Sequence, residues 1–273
     1  MLGATLLAIG AAFLHAGWNL AIKQSGDKWH ALWGQFFVAG AGCAVLVVAL
    51  GGVPASAWMW AALSGITHVG YVWFLARAYD LGDFSVTYPI ARGTGAVLAA
   101  IGGVMLLDDS LSAMNVAGIA IAATGLWLIA GPADNAHVRA ALAVAATIGV
   151  YSVIDSHGSR DTGGNLYPLT TFVACAVFST AHGLVIGRGE SMVAALRSGW
   201  HRFALAGAAS VLTYWMVLVA VQRASVGYVT ALRESSVVIA AIVGAVALKE
   251  PHARRRILAA CIAVGGLVVL VAG

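Results

Sequence analysis

From Phe84 to Leu107 the chain carries a single charge, Arg92, and the run closes on Asp108-Asp109. A stretch of that kind fits a helix crossing a bilayer, which needs about 20 mostly apolar residues. Similar runs recur along the sequence, separated by short connectors that collect the charges and the helix breakers. Spans are expected near 2–22, 31–51, 57–79, 84–106, 112–131, 138–157, 166–187, 203–222, 227–248 and 255–272. Charged residues make up 10% of the 273, against roughly 25% in an ordinary soluble domain, so ten spans leave no room for a soluble domain. Any function has to lie inside the bundle. The first run continues from Met1 to Lys23 without a basic leader head and reads as a span rather than a signal peptide. The net charge of +4 is spread over the connectors and offers no nucleic-acid surface.

The runs repeat. Shifted by 142 residues, Tyr88-Pro89-Ile90-Ala91-Arg92-Gly93 falls on Thr230-Ala231-Leu232-Arg233-Glu234-Ser235, Gly102 on Gly244, Val104 on Val246, Leu106 on Leu248 and Asp108 on Glu250. Gly125-Leu126 falls on Gly266-Leu267 at a shift of 141. Five spans per half is an odd number, so the second half would enter the membrane the other way up. The expected fold is all-α, ten transmembrane helices as an inverted repeat of five plus five around a central cavity, with repeats at 1–131 and 137–273. Lys and Arg gather in the odd connectors, which the positive-inside rule puts on the cytoplasmic side.

Charges within spans are the functional suspects. A guanidinium at a helix centre costs roughly 2.5–3.5 kcal/mol on insertion scales, so Arg92 should face protein or water. Tyr88 and Arg92 are one helical turn apart, as are Thr230 and Glu234. Either Arg92 grips an anionic group of a solute through its planar fork while Glu234 meets an ammonium or carries a proton, or Arg92 and Glu234, or the adjacent Arg233 and Glu234, pair as a gate or a static bridge. His15, Asn19 and Lys23 form one stripe of the first span with Trp18 beside it. That stripe suits a wet cavity, or else an interhelical bond from Asn19 and a snorkelling Lys23. Thr67, His68 and Tyr71 make a polar patch in the third span, and Tyr214 sits beside Thr213, the counterpart of Tyr71. Asp155, one turn from Tyr151 and near the expected end of the sixth span with His157, reads as a helix-end residue wetted by loop water, with a second proton site as the alternative. Ala91, Gly95, Ala99 and Gly103 form a small-residue face for close helix packing. Cys43, Cys175 and Cys261 have no metal-ligand spacing.

Several of these residues together resemble the drug/metabolite transporter superfamily in its ten-span, EamA-type branch. The likeness rests on Trp18-Asn19 followed by Lys23, on Pro89 at the head of the fourth span, and on the apolar runs ending at Asp108 and Glu250. His15-Ala16-Gly17-Trp18-Asn19 with Tyr88 to Gly93 also looks like a subgroup associated with phosphonate use. Ala231 stands where symmetry would repeat Pro89, a departure from a symmetric fourth and ninth span. The resemblance implies secondary transport of a small-molecule substrate through the cytoplasmic (inner) membrane, without naming the solute. Export of amino-acid-like solutes is the first expectation and movement of anionic phosphonates or phosphate esters the second. Arg92 would set the charge preference and Glu234 would couple to a proton or counter-solute. Trp18, Tyr71, Tyr88 and Tyr214 would shape the pocket, with His15, Asn19 and His68 beside them. No zinc-protease, nucleophile-elbow or phosphate-loop motif occurs in the sequence, so no enzyme, metal or cofactor is expected. A membrane-embedded enzyme or accessory subunit is the distant alternative.

Overall fold

A backbone in hydrocarbon has no water to bond, so each apolar run must satisfy its N–H and C=O groups within itself. The computed structural model, which describes residues 2–107, 112–130, 134–162, 166–224, 229, 232–233 and 235–272, is accordingly helical throughout its spans. In order they are α1 Leu2–Gln24, α2 Lys28–Ala49, α3 Ala55–Leu81, α4 Phe84–Leu106, α5 Ala113–Ala130, α6 Asn135–Thr162, α7 Tyr167–Val185, α8 Gly189–Val221, α9 Ser235–Val246 and α10 Ala253–Ala272. The protein is an all-α membrane protein.

Among the described residues, seven of these helices (α1–α4 and α6–α8) are long and apolar enough to cross a membrane, where the sequence suggested ten spans. α5 and α9 are shorter apolar helices, and α10 carries Arg254, Arg255 and Arg256 in its first turn. Two expected connectors prove to be helix. From its N-cap Arg188 on, the segment through Arg202 forms the N-terminal part of α8, and Arg160-Asp161 belongs to the last turn of α6. In both places charge marks where water begins, and the helix runs on past it. Glu190 in the first turn of α8 even suits the positive end of the helix dipole.

Helix packing follows a pattern that survives exchange of the first five helices for the last five. α3 packs on α6 and α8 on α1; α4 packs on α6 and α9 on α1; α3 packs on α7 and α8 on α2. α2–α7 and α5–α10 map onto themselves. The α5–α10 crossing is the closest, and glycines make it possible. A Cβ on Gly125 would lie 2.3 Å from the Ala263 amide nitrogen, and one on Gly266 would lie 2.2 Å from that of Ala122. The small face of α4 serves the same purpose against α6, with Gly95 closing on Ile148.

The odd connectors meet at one end of the bundle. Lys23 Nζ donates to the Tyr79 and Gly82 carbonyls at 2.7 and 2.6 Å, which places a cation on the negative end of α3. Lys28 pairs with Asp80 at 3.3 Å and Arg188 with Asp27 at 3.7 Å. The head of α4 is capped from the other half of the chain: the Glu250 carboxylate accepts from the Phe84 and Ser85 amides at 2.7 and 3.0 Å. Arg256 then bonds Asp83 at 2.7 Å and the Ser85 hydroxyl at 2.6 Å. Thr87 Oγ1 and His137 Nε2, 2.6 Å apart, add a link from α6. At the opposite end Trp60 Nε1 donates to Asp161 at 3.3 Å and the Gln222 amide to Ser159 at 3.1 Å.

The glycine crossing gives a direct test. Gly266→Ala drives a methyl into the α5 backbone and is expected to cost about 1–3 kcal/mol, the usual penalty of overpacking. Its neighbour Gly265, with nothing within 4 Å of a built Cβ, tolerates alanine. Thermal melting of the two purified variants in detergent separates them, and equal midpoints would contradict the packing.

Candidate functional site

Helical spacing brings polar side chains from several helices to one level. On α3, Ser64, His68 and Tyr71 share a face; on α6, Tyr151 and Asp155 do; on α7, Tyr167, Thr171 and Cys175 follow at intervals of four. Of these, His68, Tyr71, Tyr151, Thr171 and Cys175 enclose, with His15 and Trp18 of α1, Phe36 of α2, Phe172 of α7, and Ser210, Thr213 and Tyr214 of α8, a cavity that also meets Arg233. Space for water-sized bodies inside is small, on the order of two or three waters.

Its walls are aromatic. His68 stacks on Tyr151 with centroids 4.2 Å apart, and both rings make edge contacts with Tyr71 at 5.6 and 5.8 Å. Phe36 packs on Phe172 at 5.8 Å, and Phe172 meets Tyr214 edge-on at 6.1 Å. On α1, the His15 and Trp18 rings form a T at 4.7 Å. His15 Nε2 and Trp18 Nε1 are buried and have no hydrogen-bond partner among the described residues. Both belong to residues that line the chamber, so a solute could bond either one.

Buried charge of both signs lies within the bundle. Arg92 is 4% exposed and Arg233 5%, so neither guanidinium faces lipid. The charges of both are felt at His15 and Tyr71. Asp155 is fully buried and is held by hydroxyls alone. Tyr167 OH donates to Oδ1 at 2.8 Å, with Thr171 Oγ1 at 3.5 Å, while Ser64 Oγ donates to Oδ2 at 2.8 Å alongside Tyr214 OH. This corrects the reading of Asp155 as a wetted helix-end residue: α6 continues to Thr162, which leaves the carboxylate in mid-helix and inside the bundle.

Of the residues singled out from sequence, His15, Trp18, His68, Tyr71 and Tyr214 line the chamber. Tyr88 is buried beside it, 6.0 Å from the His15 ring. Arg92 is buried on the same turn of α4 and stands outside the lining. Asn19 is turned away from the chamber: its amide donates to the His15 carbonyl at 2.9 Å and its Oδ1 accepts from Tyr79 OH at 2.8 Å, tying α1 to α3. Thr67 bonds the Leu63 carbonyl of its own helix at 2.9 Å. Glu234, Asp108 and Thr230 lie outside the described residues. Tyr151, Thr171 and Phe172 were not picked out, although Tyr167-x-x-x-Thr171-x-x-x-Cys175 carries a readable one-face spacing.

A family description adds identity to this geometry. The EamA-like transporter family matches residues 137–272. The second half of the chain is an EamA-like transporter domain. It holds Asp155, Thr171, Tyr214 and Arg233, so most of the polar wall belongs to the EamA domain, while His15, Trp18, His68 and Tyr71 come from the first half. Over 79 residues the chain is 37% identical to an "Uncharacterized transporter in cobO 3'region" from Sinorhizobium sp, a match that takes in 29% of this chain and 55% of that protein. The chain thus spans about half the length of that relative. A solved chain ("Crystal structure of protein") superposes over 98% of this chain and 96% of its own, with a TM-score of 0.66 at 20% identity. That likeness concerns the fold.

The Asn19–Tyr79 link is separable from the chamber. Asn19→Ala and Tyr79→Phe each strand a buried polar group and are expected to cost about 1 kcal/mol or more. The double variant should cost less than the sum by roughly 0.6 kcal/mol, the average coupling between membrane helices. Melting of the four proteins measures it, and strict additivity would mean the bond contributes nothing.

Proposed function

We propose that the protein is a secondary transporter of small polar metabolites, and that its solute is a zwitterion of the amino-acid type moved outward across the cytoplasmic membrane. The observation that carries this reading is the aromatic chamber with the Arg233 guanidinium on its lining and Arg92 buried outside it. A solute carboxylate would be held from the Arg92–Arg233 side, where a planar fork can donate two parallel bonds. The solute's ammonium would lie against the rings of Tyr71, Tyr151 and Tyr214, each such contact contributing about 0.5–2 kcal/mol. His15 and Trp18 offer a further nitrogen apiece.

Passage requires the chamber to open at each end in turn. The exchange-symmetric packing supports two five-helix repeats, and the gathering of odd connectors at one end supports their entering the membrane in opposite senses. Rocking of one repeat against the other would then alternate the access. The ties of Lys23, Glu250 and Arg256 hold the odd-connector end shut and would have to part when that end opens. Glu234 keeps its role as a counter-charge or proton carrier on sequence grounds alone. A second reading follows from two guanidinium groups near one chamber: an anionic phosphonate or phosphate ester, bound with both arginines.

Proteoliposomes decide between these. Wild-type protein is expected to exchange labelled L-amino acids, and Arg233→Ala and Arg92→Ala to lower that flux by roughly tenfold or more, the equivalent of one charge-assisted hydrogen bond. Exchange of an alkylphosphonate with no amino-acid flux would favour the second reading. Turnover of lipid with no flux of either would point to an enzyme.

A further inference from the structure

Asp155 has a partner set unlike that of any other acid described in the chain. Asp27, Asp80, Asp83 and Glu250 each pair with a cation. Asp155 is buried completely, and among the described residues it makes no ion pair. An ionised carboxylate accepts at about four lone-pair positions. Here all are met by hydroxyls: Ser64 of α3, Tyr167 and Thr171 of α7, and Tyr214 of α8.

The choice of donor matters. Amide or guanidinium donors would fix the carboxylate in one charge state, because they cannot accept a proton in return. A hydroxyl both donates and accepts and can rotate. A cradle made only of hydroxyls therefore suits the ionised acid, which accepts from all four, and the neutral acid, which donates to one that has turned round. A structural tie needs no such provision, as the neutral Asn19–Tyr79 bond shows nearby. Access is provided as well, since Tyr214 and Thr171 line the chamber while Asp155 lies behind them.

We propose that Asp155 is a reversible proton-binding site reached from the chamber through Tyr214. A hydronium in the chamber gives its proton to the Tyr214 oxygen and leaves as water, while the original Tyr214 hydroxyl proton moves to Asp155 Oδ2. One O–H bond forms and one breaks at the tyrosine, and the carboxylate becomes the neutral acid. The groups facing this site are Tyr167 and Cys175 from α7, Tyr214 from α8, and His68 from α3, whose Nδ1 is 3.3 Å from the Ser64 hydroxyl. Tyr151 and His157 share its own helix. Protonation weakens the Ser64–Asp155 bond, which joins α3 to α6 across the two halves. Proton binding and helix arrangement are thereby linked. Use of that link to drive solute movement rests on the transport reading above; the proton site itself does not.

Infrared difference spectroscopy of the full chain in lipid, acid against neutral, tests the site without any solute. Wild type should gain a carboxylic-acid C=O band on acidification that Asp155→Asn lacks. Tyr214→Phe should keep the band at a higher frequency, because the acid has lost a hydrogen bond. Circular dichroism and melting check that each variant is folded, and if Asp155→Asn is not, the Tyr214→Phe displacement decides. An unchanged band in folded Asp155→Asn would overturn the proposal, and a Tyr214→Phe band at the wild-type position would overturn the route through the tyrosine. A band that behaves as expected in protein that carries no amino acid would keep the proton site and remove the solute reading.

Discussion

Charge cannot be left in hydrocarbon, and this structure is organised by the need to enclose it. An ion moved into a low-dielectric interior costs several kcal/mol even after relaxation. The bundle therefore wraps its buried ions in polar side chains at one level. Asp155 draws α3, α7 and α8 onto α6, because each contributes a hydroxyl to it. Arg92 and Arg233 are likewise buried away from the bilayer. The chamber between these groups exists because the polar layer cannot be filled by apolar packing without stranding them.

Small residues and borrowed caps support that layer. Gly125 and Gly266 let α5 and α10 approach at backbone distance on the far side of the bundle. At the odd-connector end, residues from each half complete helix termini in the other or nearby. Glu250 supplies the acceptors for the first amides of α4, and Lys23 the donor for the last carbonyls of α3. Helix ends that could bond water are bonded instead to side chains from neighbouring helices.

Much of this was legible in the sequence for a physical reason. Apolar length reports a span because hydrocarbon thickness is fixed, and a lone arginine in such a run reports burial because the alternative is costly. Arg92, His15, Trp18, His68, Tyr71 and Tyr214 were accordingly found at or beside the chamber. Helix ends were harder, since charge shows where water begins and not where hydrogen bonding stops. The same gap misplaced the start of α8 and set Asp155 at a helix end. Rotation about a helix axis was harder still: Asn19 and His15 sit one turn apart on one stripe, yet one bonds Tyr79 and the other faces the chamber. Which of them a neighbour covers depends on packing between helices distant in sequence, which periodicity does not carry.

The central claim is that the polar layer is a chamber water and solutes can enter, not a sealed core. Cys175 lies on its wall, 1% exposed, and is the natural reporter once Cys43 and Cys261 are replaced by serine. A membrane-impermeant thiol reagent applied to the reconstituted protein should label Cys175 slowly, as the halves open, and a transported solute should protect it. Labelling by lipid-soluble reagents alone, with none from water on either side, would contradict the account.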